Sequence, residues 1–280
     1  MREPFIGSEA VARGDVTKAA LRSTHTRVFR DVYLPPGVDL TPLSRARAGW
    51  LWSRRRAVVA GFTASALHGA KWVDDSRPVE LLHDNRHRMP GLLVHGDTLL
   101  ADEVVAVAGV PVTTPARTAF DLACWYPLNE AVAAVDALAR ASDLDLLDVA
   151  LLAERHAGRR GSQQARKVID LADAGAESPR ETYLRLLIVQ AGLPRPATQI
   201  PVYDRRGYLI ARVDMGWEGD WRIAVEYDGD HHRTDERQFA RDIARVERLE
   251  AAGWIVIRVT AKDRPAEVLR RIRAAIARRA

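Results

Sequence analysis

The chain has 280 residues, 47% of them hydrophobic, and 42 basic against 37 acidic side chains give it a net charge of +5. That length suits two or three domains, and the apolar content excludes a globally disordered chain. One cysteine, Cys124, excludes an internal disulfide framework and a multi-cysteine zinc site.

No apolar run reaches the roughly 18 residues of a membrane span, and no long apolar leader follows Met1, so a cytoplasmic location is expected. The positive charge is nearly all arginine; lysine occurs only at Lys18, Lys71, Lys167 and Lys262. Such a balance favours an anionic partner, because Lys and Arg displace counterions from phosphates.

Residues 8–12 and 17–22 are predicted to be short helices separated by Arg13-Gly14-Asp15. Residues 26–34 then alternate polar and apolar side chains, a strand signal ended by Pro35-Pro36-Gly37. Helix, turn, helix and basic strand pair is the order of a winged helix-turn-helix; a generic small α/β bundle fits the pattern equally well. Further helices are expected over 42–52 and around 63–69. In the mixed stretch 76–172, strands are expected at 78–83 and 92–95, with helices at 115–124, 128–141 and 143–156. A turn at Gly158-Arg159-Arg160-Gly161-Ser162 precedes another helix. Cys124 falls in an apolar helical stretch and is expected to be a small core residue. Three parts result, 1–75, 76–172 and 173–280. The overall class is α/β: an N-terminal winged helix-turn-helix, a mixed α/β middle region, and a C-terminal restriction-endonuclease-like α-β-β-β-α-β-α domain.

The last part carries most of the chemistry. Ser178-Pro179-Arg180-Glu181 is a capping box, with Ser at N-cap, Pro at N1 and Glu at N3. Tyr183, Leu184, Leu187, Ile188 and Ala191 are the expected buried stripe, stopped at Gly192. Strands are predicted at 198–203, 208–215 and 221–229, the first two joined by Asp204-Arg205-Arg206-Gly207. A turn near Gly219 sets Asp214 opposite Ala224 or Glu226, so Asp214 and Glu226 share a face. Two opposed carboxylates repel unless a cation lies between them, and Mg²⁺ or Mn²⁺ is the economical candidate. A long amphipathic helix from about 234 to 252 puts Arg241, Arg245 and Arg248 on one side, followed by a strand at 254–259 and a basic terminal helix at 265–279.

Glu181, Val213-Asp214, Val225-Glu226-Tyr227-Asp228-Gly229-Asp230-His231-His232, Arg241-Asp242 through Arg248, and Ala252-Gly253-Trp254 together resemble one family over residues 175–280. It is the very-short-patch-repair-like branch of the PD-(D/E)XK endonucleases. The resemblance implies that Asp214 bridges the metal, that Glu226 is the first acid of the E-x-K half-motif, and that Arg241 and Arg245 contact phosphate. It further implies a metal-activated water and a 5′-phosphate product. Asp228 occupies the Lys position, a departure that His231 or His232 could offset as base or donor. Each residue also has a structural explanation: Glu181 as a cap, Asp228 in a turn with Gly229, the histidines as solvated loop residues, and Arg241, Arg245 and Arg248 as a solvated face.

In the first half, Leu21-Arg22, Val28-Phe29-Arg30-Asp31-Val32-Tyr33-Leu34, Gly61-Phe62-Thr63-Ala64-Ser65-Ala66-Leu67-His68-Gly69 and Thr114-Pro115-Ala116-Arg117-Thr118-Ala119-Phe120-Asp121-Leu122 resemble AbiEi-type antitoxins and transcriptional regulators. By that resemblance Lys18, Arg22, Arg27 and Arg30 would touch DNA, although each could equally be a solvated surface residue. Three functions are expected in competition. The first is a metal-dependent DNA endonuclease of repair or phage defence. The second is a DNA-binding regulator or antitoxin whose nuclease fold is vestigial. The third is a defence effector whose middle region senses a partner. The expected partner is DNA, with a second copy of the chain or a toxin or defence protein as further candidates.

Overall fold

The computed structural model describes residues 3–85, 89–229 and 236–279, with only the backbone for 236–242. The chain divides into two compact units, Met1–Ala172 and Asp173–Ala280.

The first unit begins with β1 (Phe5–Ile6), α1 (Gly7–Arg13), α2 (Lys18–Ser23), β2 (Thr26–Phe29) and β3 (Val32–Leu34). The strands form an antiparallel sheet in the order β1-β3-β2. Gly14 ends α1 at φ 80, and the Thr17 hydroxyl caps α2 by accepting from the Ala20 N–H at 3.1 Å. The β2–β3 hairpin reverses at Arg30 and Asp31, with Asp31 in the left-handed region at φ 61. Glycine is the usual occupant there, and Asp is among the few replacements that tolerate it. Here its carboxylate is also anchored, accepting from the Ser8 N–H at 2.8 Å and the Ser8 hydroxyl at 2.6 Å. One orphan donor of α1 is thereby satisfied.

The chain continues through α3 (Pro42–Trp52), β4 (Val58–Val59), α4 (Gly61–Leu67), β5 (Val79–Leu82), β6 (Leu92–His95), β7 (Val104–Val107) and β8 (Val110–Thr113). Four helices follow: α5 (Pro115–Trp125), α6 (Leu128–Ser142), α7 (Leu146–Arg155) and α8 (Ser162–Leu171). The five strands β4 to β8 form one mixed sheet in the order β6-β5-β4-β8-β7. This corrects the boundary expected near residue 75. Strand β4 precedes that point yet lies in the middle of the sheet, and one core joins Ile6, Val32, Ala46, Val59, Leu81 and Val112. The helix expected over 143–156 starts later, at Leu146, and does not continue α6. Asp143 turns left-handed at φ 48, and Asp145 starts α7 afresh by accepting from the Leu147 N–H at 2.8 Å. Strands β4, β7 and β8 escaped prediction; β4 has only two residues, too few for a periodic signal. The β7–β8 hairpin turns through Ala108 and Gly109 at φ 48 and 76, without an Asn-Gly or Asp-Gly signal.

The second unit follows the expected order: α9 (Pro179–Gln190), β9 (Ala197–Tyr203), β10 (Leu209–Trp217), β11 (Ile223–Asp228), α10 (Glu236–Ala251), β12 (Ile255–Thr260) and α11 (Pro265–Ala277). Its sheet runs β12-β11-β10-β9, with β11 and β12 parallel and the other pairs antiparallel. One core packs Leu184 and Ile188 of α9 and Val268 and Ile272 of α11 onto Met215, Ile223, Val225 and Ile257. A second gathers Val213, Ala224, Leu249 and Trp254. Tyr183, predicted in the buried stripe of α9, is 40% exposed, while Leu186 and Arg185 are fully buried instead. The stripe is therefore rotated by about one residue from the expected one. Strands β10 and β11 approach so closely that a Cβ on Gly216 would lie 2.0 Å from the Ile223 carbonyl oxygen. Glycine is required there, and the close pairing sets the register of the carboxylates beyond it.

Candidate functional site

Two surfaces hold the residues that the sequence singled out. In the second unit, β10 pairs with β11 through Met215↔Val225 and Gly216↔Ala224. Continued by one residue, this register sets Asp214 level with Glu226. On the other edge of β10, Val213↔Ile200 and Met215↔Thr198 set Gln199 level with Asp214. The Asp214 carboxylate accepts the Tyr227 N–H at 2.8 Å. Both oxygens of Glu226, which is 4% exposed, accept from the Arg245 guanidinium, at 2.6 and 2.8 Å. The Ser178 hydroxyl caps α9 by accepting from the Glu181 N–H at 3.3 Å, but the expected capping box is not closed. Instead the Glu181 carboxylate accepts from the Ser178 hydroxyl at 2.9 Å and, through its other oxygen, from the Glu177 N–H at 2.8 Å and the Gln199 amide at 3.3 Å.

Burial pushes the Asp214 carboxyl up to about 7; the Tyr227 N–H opposes this, and repulsion from Glu181 and Glu226 adds to it. Three acids thus lie within electrostatic reach, and one is only partly ionised at neutral pH. Such a carboxyl can exchange a proton near pH 7 or accept a cation. Among the described residues, no three His, Cys, Asp or Glu side chains converge as a metal-binding group. In this arrangement the cationic neighbour of Glu226 is Arg245.

The remaining candidates fall elsewhere. Arg245, expected on a phosphate, donates both hydrogen bonds to the buried Glu226 and offsets its charge. Asp228, at the half-motif's Lys position, pairs with Arg258 of the parallel neighbour β12 at 2.7 Å. Arg248 is exposed, its Nε donating to the Ala244 carbonyl. His231 and His232 lie outside the described residues, as does the side chain of Arg241. Sequence reasoning missed Gln199, which is held left-handed at φ 54 between Glu181 and Asp214. A strained non-glycine backbone beside ionisable groups is a feature of functional sites. Its only trace in sequence is an amide within an otherwise β-branched and apolar strand.

In the first unit, Lys18 and Arg22 lie on α2, Arg27 on β2 and Arg30 at the hairpin turn, all exposed. None of the four makes an ion pair among the described residues. Their neighbours differ: Arg13, Arg47, Arg54 and Arg55 pair with Asp15, Glu3, Asp31 and Glu9. One helix and one hairpin thus carry four cations without an ion pair, as do Arg56, Lys71, Arg160, Arg166 and Lys167 elsewhere in the unit. Deeper in the unit, the fully buried Arg117 bonds Glu103, Asp121 at 2.9 Å and the Thr98 carbonyl. Arg159 joins Asp121 at 2.6 Å to Asp97 at 2.8 Å, and His156 bonds Glu103 at 2.6 Å. This network ties α5 to the segments before and after it; only the Arg117/Asp121 spacing of four residues hinted at it.

Residues 57–171 match the model of the AbiEi antitoxin C-terminal domain. The match spans the five-stranded sheet and the buried network, and begins after the helix-and-hairpin surface. Over 239 residues the chain is 31% identical to the proteins MT2308 and Rv2248 of two Mycobacterium tuberculosis strains, covering 85% of this chain and 86% of each relative. The chain belongs to the same family as these mycobacterial proteins. Among solved structures, the crystal structure of the RV2827C protein from Mycobacterium tuberculosis is similar at a TM-score of 0.41 and 14% identity, covering 72% of this chain and 84% of the other. That likeness is too weak to bear on the fold. Among the described residues no helix is long and apolar enough to cross a membrane.

Proposed function

We propose that the protein is a DNA-binding regulator of the antitoxin type. In this reading, α1, α2 and the β-sheet β1-β3-β2 act as a small winged helix-turn-helix. Helix α2 enters the major groove, and the β2–β3 hairpin, as the wing, lies against the backbone. The observation that carries the reading is the set of four exposed, unpaired cations Lys18, Arg22, Arg27 and Arg30 on that helix and hairpin. The AbiEi antitoxin match next to them supports it and points to a toxin or defence protein as the partner of residues 57–171. Phosphate contacts by these side chains would give affinity that falls with salt, by about 0.9 in log–log slope per phosphate neutralised. Duplex DNA binding measured from low to moderate salt tests this. Replacing all four cations with alanine should weaken binding and flatten the slope by about 3 to 4. Equal affinity and slope for the wild type and the variant would refute it.

A second reading, metal-dependent hydrolysis of DNA phosphodiesters, is favoured by one observation: the raised pKa of Asp214 between Glu181 and Glu226. Asp214 and Glu226 would hold a Mg²⁺ or Mn²⁺ ion, which supplies an activated water and charge neutralisation when bound. Arg245 would then have to release at least one oxygen of Glu226, and its freed guanidinium would be available to a phosphate. Metal-dependent nicking of plasmid DNA, lost in Asp214→Asn, is the expected result of this reading. DNA binding without nicking, unchanged between Mn²⁺ and chelator, leaves the regulator alone.

A further inference from the structure

Strand β9 is the edge of the second unit's sheet, and its turn into β10 is built from Asp204-Arg205-Arg206-Gly207. The turn is rigid. Asp204 Oδ1 accepts from the N–H groups of Arg206 and Tyr208 at 2.8 and 2.9 Å, and Gly207 takes φ 83. The Asp204 carboxylate is thus tied to its own backbone, while Arg205 and Arg206 make no ion pair among the described residues. Two tyrosines flank the turn, Tyr203 at 56% and Tyr208 at 70% exposed. Both border an open groove of about 860 Å³ that Ala252, Gly253 and Trp254 also line. Arg222 and Arg248 line the same groove, again without ion pairs among the described residues, against a single further acid, Glu218. The surface therefore combines four guanidiniums without ion pairs among the described residues, Arg248 donating only to the Ala244 carbonyl, with two exposed tyrosine rings.

We infer that this groove binds a single-stranded nucleic-acid segment, its backbone following the arginines and its bases stacking on Tyr203 and Tyr208. Stacking requires exposed base faces, which a duplex conceals. An acidic peptide would satisfy the arginines and leave the tyrosine rings unused. The groove lies wholly in the second unit and does not depend on the helix-and-hairpin surface proposed above for duplex DNA. Nor does it require the acidic cluster to be catalytic.

Fluorescence anisotropy of the full chain with a labelled oligo(dT) of about twelve nucleotides tests the inference, with a matched duplex and polyglutamate as competitors. Tyr203→Ala/Tyr208→Ala should weaken oligo(dT) binding by about thirtyfold or more, the loss expected when two stacked bases each lose their platform. Tyr203→Phe/Tyr208→Phe, which keeps the rings, should stay within about twofold of wild type. The salt slope should be about −3 for four contacts at roughly −0.7 each, and shallower by about 1.4 in Arg205→Ala/Arg206→Ala. Replacing Lys18, Arg22, Arg27 and Arg30 with alanine should leave oligo(dT) affinity intact even if duplex binding is lost. The inference is overturned if the tyrosine-to-alanine variant, shown folded by circular dichroism, binds like wild type. It is equally overturned if polyglutamate or duplex competes as well as oligo(dT), or if the first-unit variant abolishes oligo(dT) binding.

Discussion

Replacing Asp214 by Asn should make the protein more stable above neutral pH and leave it unchanged in acid. The Asp214 carboxyl is lifted from 3.8 to about 7, chiefly by burial. At about 1.4 kcal/mol per tenfold change, ionising it in the folded state costs at most about 4 kcal/mol. The side chain keeps some contact with solvent, so roughly half of that, ~2 kcal/mol, is the expected effect. Below pH ~4 folded and unfolded chains both hold the proton, and the residue contributes no pH dependence. Between pH ~4 and ~7 the folded chain retains a proton that the unfolded chain has lost, so stability declines as pH rises. Above ~7 the full cost is present. Asn keeps an acceptor for the Tyr227 N–H but cannot ionise. Urea denaturation at pH 4.5 and pH 8 should therefore show nearly equal wild-type and variant stabilities in acid and a gap of ~2 kcal/mol in base. Identical curves at pH 8 would mean that Asp214 is not held in its protonated range and that the acidic cluster is looser than described.

Arg245→Met strips both hydrogen bonds from the buried Glu226 and should destabilise the second unit by ~2 kcal/mol; adding Glu226→Gln should recover most of it, as a coupling of at least ~1 kcal/mol in a double-mutant cycle. Arg117→Met leaves the buried Glu103 and Asp121 without their shared cation and should cost ~3 kcal/mol or more, measured by thermal melting; a cost below ~1 would show the network to be dispensable. Burial pushes the Cys124 thiol up to about 11, so at pH 8 it should react with a disulfide reagent about 100-fold more slowly in the folded protein than in urea.

The helices were legible because their signals are local. Ser178-Pro179-Arg180-Glu181 contains its own cap, and α9 begins there; Pro42 and Pro115 open α3 and α5 with capping threonines at 41 and 114. The order of elements in the second unit and the shared face of Asp214 and Glu226 followed from strand alternation and one glycine turn. What was not legible depends on residues far apart in the chain. No local pattern shows that Val58–Val59 is the middle of a five-stranded sheet, because its partners lie at Val79–Leu82 and Val110–Thr113. The partner of Arg245 was equally hidden, since its spacing on α10 fits a phosphate as well as it fits Glu226.

The sequence by itself determined where most helices start and stop, which residues can carry charge, and which two strands put acids on a shared face. Those properties arise from hydrogen bonds and side-chain periodicity within a few residues. The tertiary structure alone decided which charges are cancelled. Arg54, Arg55, Arg117, Arg245 and Arg258 each find an acid across the fold, whereas Lys18, Arg22, Arg27, Arg30, Arg205 and Arg206 do not. An ion pair forms wherever packing brings opposite charges together out of water, and packing is a property of the whole unit rather than of any segment.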